Sequence, residues 1–427
     1  MERLEEWLGR LKVSRGWRGE LTAGFMIFVS ALYGILLAPL LLQQAGMDFS
    51  GAYTATVLTS FAGTLLLGLW VKQPLAALPS LGLQVYLVFL VVLSHGYGWQ
   101  DMLGAGMLAA LLLALLAWTG MQRRLLQAMP DSLRTGILAG TGLLLVFQGL
   151  RLGKLVVGSP MTLTMLGNIS EPSFFLAFFG LVVTAILLAL RIRGALLLGL
   201  LAAILLGLLQ GFLVIPSAPF MLPEGLEQTV FQLRFSAIDS LGIVVLAIVL
   251  VLLFDSFGAR LGIAALYPLE QSPRLLLTVA LTNALAALLG TGPVSAAPAS
   301  LIGSAAGGRT HWTAVFAALC FLPLLFCAPL LKALLDMPAV AAPGLILTGF
   351  YILQHAGSFS QMDIAEALPM LLMAVLIPLT SSIAEGTGCG IILFVLLKIF
   401  TRQWRQVPLF LYGLAGLFML QFLLDNL

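Results

Sequence analysis

Asp255 is the residue of this sequence best placed to do chemistry. From Leu241 to Tyr267 the chain carries no charge except Asp255 and Arg260, and Asp255 falls near the middle of the run. A carboxylate at the centre of a bilayer costs about 3 kcal/mol, so such a residue faces a polar cavity and marks a substrate or ion pathway. The bland alternative is internal, either an ion pair with Arg260 five residues on or an acid at a shallow helix end. Gln84 is the second candidate. Its carboxamide offers both donor and acceptor and suits the edge of a heterocycle; its alternative is an interhelical hydrogen bond of around 1 kcal/mol. Ser80 and Ser300 open two short helical stretches, where exposed backbone N–H groups and about half a positive charge gather. As caps they are structural; as neighbours of a site they take part in it.

These residues depend on two interrupted segments. Gly290–Thr313 reads GTGPVSAAPASLIGSAAGGRTHWT and lies within a very apolar chain. Pro293 and Pro298 forbid a continuous helix, and Ala299–Ala306 suffices for about two turns. An extended piece followed by a half-helix is tolerated at membrane depth only where protein buries it or it lines a polar cavity. Pro74 and Pro79, in QPLAALPSLGLQVY, repeat the spacing of Pro293 and Pro298 at an offset of 219 residues. Two further matches follow in the same order. Met129–Pro130 and Met337–Pro338 each precede a glycine, Gly136 and Gly344, and Arg193–Gly194 opens an apolar run as Glu385–Gly386 does. Paired broken segments in two related halves point to a transporter's binding site.

Composition agrees. Hydrophobic residues make up 60% and charged residues 9%, with a mean hydropathy of +1.08. A soluble domain of this length cannot have so few surface charges, so the chain is a polytopic membrane protein. Apolar runs of spanning length are read near 21–44, 51–71, 79–95, 101–120, 132–152, 172–190 and 194–215, then near 238–262, 273–290, 294–307, 311–332, 339–355, 365–383 and 386–400. A last run, 408–425, has no counterpart and is either an extra span or a re-entrant hairpin. Residues 1–20 lack the apolar core of a signal peptide; Leu4, Leu8 and Leu11 recur at helical spacing and predict an amphipathic helix on the inner surface. With the N-terminus inside, the inner loops hold 17 Lys and Arg and the outer loops 4, as the positive-inside rule requires. The longest outer loop, 216–237, is too short for an enzyme or sensor domain. The net charge of +3 is scattered over segment ends and gives no nucleic-acid surface. The three cysteines read as buried free thiols. His95, His311 and His355 read as interfacial, without metal-ligand spacing. SAAGGRT lacks phosphate-loop order, so Gly307–Gly308 read as a turn with Arg309 at the inner surface.

The chain resembles the nucleobase permeases of the xanthine/uracil superfamily, and most closely the AzgA-like guanine/hypoxanthine branch. The strings that carry this are AGFMIFVSALYGILLAP (Ala23–Pro39), QPLAALPSLGLQVY (Gln73–Tyr86), LLFDSFGA (Leu252–Ala259), GTGPVSAAPASLIGSAAGGRT (Gly290–Thr310), PGLILTGF (Pro343–Phe350) and LPMLLMAVLIPLTSSIAEG (Leu368–Gly386). The resemblance spans roughly residues 20–400 and is most specific in FDS, SAAGGRT and IPLTSSIAEG. It implies an all-α fold of fourteen segments in two inverted repeats of seven, with a core and a gate domain. It also implies that Asp255 holds the nucleobase through ring N–H groups and carries a coupled proton, and that Tyr33 matches a first-segment tyrosine that is more often packing than ligand. Gln84 stands where AzgA-type relatives have Asn. Ala299 stands where the family has glutamate, and Ala259 replaces a threonine or histidine. One side of the pocket is therefore less polar, and an anionic substrate is better tolerated.

The expected organisation is an N-terminal segment 1–20, a first repeat 21–215, an outer loop 216–237, a second repeat 238–400 and an extra apolar segment 401–427. The expected function is secondary-active, proton-coupled uptake of a purine or related nucleobase across the cell's inner or plasma membrane, with the N-terminus cytoplasmic. Substrate-binding residues are Asp255, Gln84, Ser80, Ala299, Ser300 and Tyr33, with Asp255 also the proton site. No enzyme activity, metal or cofactor is expected; the partners are the heterocycle, a proton and the bilayer, with a homodimer as the candidate assembly. Two alternatives stay open: an anion transporter of the same architecture, and a non-transporting receptor or subunit.

Overall fold

The computed structural model describes residues 17–120, 129–190, 192, 195–211, 220, 222–236, 242–266, 272, 274–328, 339, 342–356 and 362–424. The amphipathic helix expected before residue 17, Arg193–Gly194 and Met337–Pro338 lie outside them. The fold is nearly all helix, in order α1 (Trp17–Gln44), α2 (Phe49–Leu66), β1 (Ala77–Pro79), α3 (Leu81–Val85), α4 (Trp99–Trp118), α5 (Asp131–Leu152), β2 (Val156–Ser159), β3 (Leu163–Leu166), α6 (Pro172–Ala189), α7 (Ala195–Leu209), α8 (Gly242–Leu266), α9 (Leu275–Leu289), β4 (Val294–Ala296), α10 (Leu301–Ala305), α11 (His311–Phe321), α12 (Ala342–His355), α13 (Ile364–Thr380), α14 (Ile383–Phe400) and α15 (Leu409–Leu424). Seven helices are long and apolar enough to cross a membrane, among the described residues. The first fourteen helices follow the fourteen apolar runs in order, and the run 408–425 is the helix α15.

Local chemistry sets the boundaries. Asp48 accepts the Gly51 N–H at 2.8 Å and starts α2; Thr310 and Ser382 do the same for α11 and α14, each satisfying an N–H group that the helix leaves orphaned. α2 ends in a π-wound turn over Leu67–Val71, and α3 continues as one over Tyr86–Ser94. The connection after α5 folds into the β2–β3 hairpin. Its root is closed by an ion pair between Lys154 and Glu171.

Two groups of helices emerge from the packing. α1–α4 pack with α8–α11, chiefly through α4 on α9 and α1 on α11, while α5 lies between α12 and α13, with α6 against α7 and α12. The first group is cross-braced at its centre. β1 and β4 pair antiparallel, with Leu78 opposite Ser295, so the two interrupted segments form one two-stranded ribbon inside the protein. Each strand is held by a helix of its own half. Thr64 of α2 accepts the Ala77 N–H at 3.0 Å. Asn283 of α9 accepts the Val294 N–H at 2.9 Å and donates to the Val294 carbonyl at 2.6 Å. Thr64 and Asn283 lie 219 residues apart, the offset of the two proline pairs. A buried backbone group without a partner costs free energy; side chains of α2 and α9 remove that cost where no further strand is present.

Candidate functional site

The ribbon places two half-helices at the centre of the first group. α3 begins at Leu81, after Ser80. In the second copy a 3-10 turn, Pro298–Ser300, leads into α10. The chain therefore enters each half-helix from an extended strand, as the prolines require. The Ser80 N–H donates to the Pro293 carbonyl at 3.1 Å and the Ala297 N–H to the Ala76 carbonyl at 3.0 Å, so each crossing fixes the other.

Asp255 faces this crossing from the middle of α8 and is 9% exposed. The Ser80 hydroxyl donates to its Oδ2 at 2.9 Å, and the Ser295 hydroxyl lies on the same carboxylate. Hydrogen bonds to a carboxylate are stronger than neutral ones, and the pair joins α8 to both strands of the ribbon. The ion pair with Arg260, the sequence's bland alternative, does not form. Ser80 opens its half-helix without capping it, because its hydroxyl is committed to Asp255 instead.

Gln84 lies one helical turn beyond Ser80, whose carbonyl accepts its N–H at 2.9 Å. Its side chain runs back over Gly292, where a Cβ would come within 2.7 Å of Nε2. Only glycine leaves room for that approach. Gln84 is 1% exposed, and both atoms of its amide lack a hydrogen-bond partner among the described residues. Buried polar atoms are nearly always paired, so an unpaired carboxamide in a polar cluster needs a reason.

None of the remaining predicted residues bonds to Asp255, although the Pro298–Ser300 turn packs on α8. Ala299 is partly buried, and its carbonyl accepts from the Ser30 hydroxyl of α1 at 3.3 Å. Ser300 is fully buried and donates to the Ala297 carbonyl at 2.6 Å, so its hydroxyl closes its own turn and is not turned toward Asp255. Tyr33, one turn after Ser30, is half-buried on α1. The structure thus joins Asp255 to Ser80, with Gln84 one turn further on, and places Ala299 and Ser300 in the turn before α10 and Tyr33 on α1. Ser295, Ser30 and Gly292 were missed. Ser295 sits between the two prolines of the interrupted segment, a signal that marked the segment but not the residue.

SAAGGRT proves structural: Gly307 turns at φ +103°, and the Glu20 carboxylate of α1 accepts from the Arg309 and Thr310 N–H groups at 3.2 and 3.3 Å and from the Thr313 hydroxyl. His95 and His355 contact backbone carbonyls of Leu90 and Tyr351, each at 2.8 Å, at helix ends.

The permease family with the profile Xan_ur_permease matches residues 18–388. The chain belongs to the xanthine/uracil permease family. Among curated relatives, the permease is 33% identical to a putative permease of Methanocaldococcus jannaschii, over 99% of this chain and 98% of that protein. It is 32% identical to the guanine/hypoxanthine permease PbuO of Bacillus subtilis (94% and 96% covered) and to the adenine permease AdeP of Escherichia coli (95% and 92% covered). Among solved structures the permease aligns with the transmembrane domain of the cyanobacterial bicarbonate transporter BicA at a TM-score of 0.57 and 20% identity, covering 87% of this chain and 98% of that one. It aligns with SLC26A9 at 0.55 and 13% identity, covering 93% and 68%. These likenesses establish the fold, two inverted repeats with interrupted segments, and the permease is a transporter and not an enzyme.

Proposed function

We propose that this permease moves a purine nucleobase together with a proton, binding it between the two half-helices against Asp255 and Gln84. The observation that carries the reading is the buried Gln84 amide, without a partner among the described residues, one helical turn from the Ser80 that donates to Asp255 at the crossing of the broken segments. A carboxylate accepts ring N–H groups, and an amide answers a paired donor and acceptor on a heterocycle edge. The half-helix ends supply N–H groups to ring acceptors. The relatives named as guanine/hypoxanthine and adenine permeases support the purine class. Asp255 is assigned the proton because the hydroxyls on it are rotors, which donate to the carboxylate and can turn to accept from the carboxyl O–H.

The repeats are assigned to 21–215 and 238–400, with α1–α4 and α8–α11 as the core that carries the site and α5–α7 and α12–α14 as the gate. A homodimer remains the candidate assembly. The decisive experiment is uptake of labelled guanine, hypoxanthine, adenine, uracil, urate and bicarbonate into proteoliposomes, with and without a protonophore. Purines are expected to accumulate, and the protonophore to stop it. Accumulation of anions alone would select the anion reading that Ala299 motivates, and binding without flux would select a receptor.

The N-terminus is assigned to the cytoplasm of a cell inner or plasma membrane, which puts exposed Gln228 outside. A Gln228→Cys protein without its three native cysteines is expected to react with an impermeant maleimide added to intact cells. Reaction only in inverted vesicles would reverse the orientation.

A further inference from the structure

The turn between α13 and α14 ends against the elements that carry the site: Ser382 and Ile383 are buried, Ser381 is half-buried and Thr380 is exposed. Gly140, midway along α5, packs on Ile377 of α13, and Thr141 meets Ile383 of α14 at Gly258 of α8. The tip Thr380–Ile383 is therefore level with the middle of α5 and α8, one turn from Asp255. The other ends of the hairpin meet on one side, where the Lys398 ammonium donates to Glu366 at 3.1 Å and to Gln403 at 2.7 Å. The tip touches the core at two glycines. A Cβ on Gly82, in the first turn of α3, would stand 3.1 Å from the Ser381 carbonyl oxygen; one on Gly258 would stand 2.8 Å from Ile383 Cδ1. Those helices carry Gln84 and Asp255.

The tip is also shaped to separate. Ser381 holds a left-handed conformation at φ +55°, which costs a non-glycine residue about 1 kcal/mol or more. Among the described residues, hydrogen bonds within the hairpin hold the turn. Thr380 Oγ1 donates to the Leu376 carbonyl at 3.0 Å and accepts the Ser382 N–H at 3.3 Å, and the Ser382 hydroxyl accepts the Glu385 N–H at 3.2 Å. The core, by contrast, is bound to itself by the β1–β4 ladder, Asn283 and Asp255. A contact of van der Waals atoms on bare glycine backbone slides without orphaning a polar group.

We propose that the Thr380–Ile383 tip is a gate that shuts the site on the side of Glu366 and Lys398, with Gly82 and Gly258 as the seats on which it closes. This rests on the transporter reading above, in which core and gate move relative to each other. A side chain at either seat wedges the gate open without touching a residue that meets substrate.

The test places a reporter cysteine at Ser295 in a protein whose Cys320, Cys327 and Cys389 are alanine, and times its reaction with an impermeant maleimide added from the Lys398 side of sealed vesicles. Gly82→Ala and Gly258→Ala are each expected to speed labelling by at least about fivefold, the lower end of ordinary coupling between two states. Unchanged labelling in both variants, each monodisperse after purification, would overturn the gate. A second arm locks the seat instead of wedging it. A Gly258→Cys/Ile383→Cys pair, oxidised to a disulfide, is expected to slow labelling of the Ser295→Cys reporter below the parental rate and to stop purine uptake, and a reductant to raise labelling to the rate of Gly258→Ala. Uptake at the parental rate with the disulfide formed would equally overturn the proposal. Labelling needs no substrate, so faster labelling in a protein that moves no purine leaves the gate standing and removes only the substrate.

Discussion

Asp255→Asn is expected to end proton-driven accumulation while leaving the protein folded. The amide keeps the size of the carboxyl, and the Ser80 and Ser295 hydroxyls, each donor and acceptor, can turn to satisfy it. The charge and the exchangeable proton are lost. A hydrogen bond to a charged group contributes about 1.5–3 kcal/mol, so affinity for a ring N–H donor should fall roughly 10- to 150-fold. Accumulation should fall further, because a carrier without its proton site has nothing to couple to. Exchange of labelled for unlabelled purine down its own gradient should persist at high substrate. The measurement is paired uptake and exchange in proteoliposomes at matched protein, with a protonophore control. Ser80→Ala provides a graded comparison: it removes one of the two hydroxyls, and its affinity loss should be about tenfold or less. An Asp255→Asn protein that still accumulates purine under a proton gradient would take the proton from this residue. If its affinity were also unchanged, Asp255 would be a structural tie between α8 and the ribbon.

The parts of the site that were legible in the sequence are those where a residue type breaks a local rule. Pro74, Pro79, Pro293 and Pro298 cannot donate a backbone hydrogen bond, so they broke two helices on paper as they do in space. Asp255 was visible because an acid in an apolar run is costly. Ser295 was not, since it is one small residue in a string of small residues, and its role appears only when β4 pairs with β1 and turns it to α8. Thr64 and Asn283 stand at the same offset as the prolines, yet hydroxyl and carboxamide do not resemble each other, and their shared work of holding a strand is visible only in three dimensions. Ser300 shows the converse. Its place at a half-helix end predicted a site residue, but a serine hydroxyl can bond its own turn, and here it does. The IPLTSSIAEG string was conspicuous, and still nothing in it told that its serines stop at mid-depth against Gly82, because depth is set by what α5 and α8 offer as neighbours.

Gln84→Met should separate function from stability by moving them in opposite directions. Methionine has the same unbranched reach, so it can lie over Gly292 as the carboxamide does, and volume-conserving swaps in a packed interior are well tolerated. The Gln84 amide is buried and has no partner among the described residues, and a buried polar group without a partner costs about 1–3 kcal/mol. Removing it should raise the thermal unfolding midpoint of the substrate-free protein in detergent by a few degrees. The same change removes the donor and acceptor that face the substrate, and a heterocycle edge left unpaired in that pocket loses at least about tenfold in affinity. Saturating purine should therefore stabilise the parent protein and leave Gln84→Met almost unmoved, since ligand stabilisation follows occupancy. A structural glutamine behaves otherwise: its loss lowers stability, and affinity follows only as far as folding does. If Gln84→Met proves both less stable and weaker in binding, the residue is an interhelical tie. If it binds purine as the parent does, the amide does not meet the substrate, and the second anchor of the site must be sought near Ser30 and Ala299.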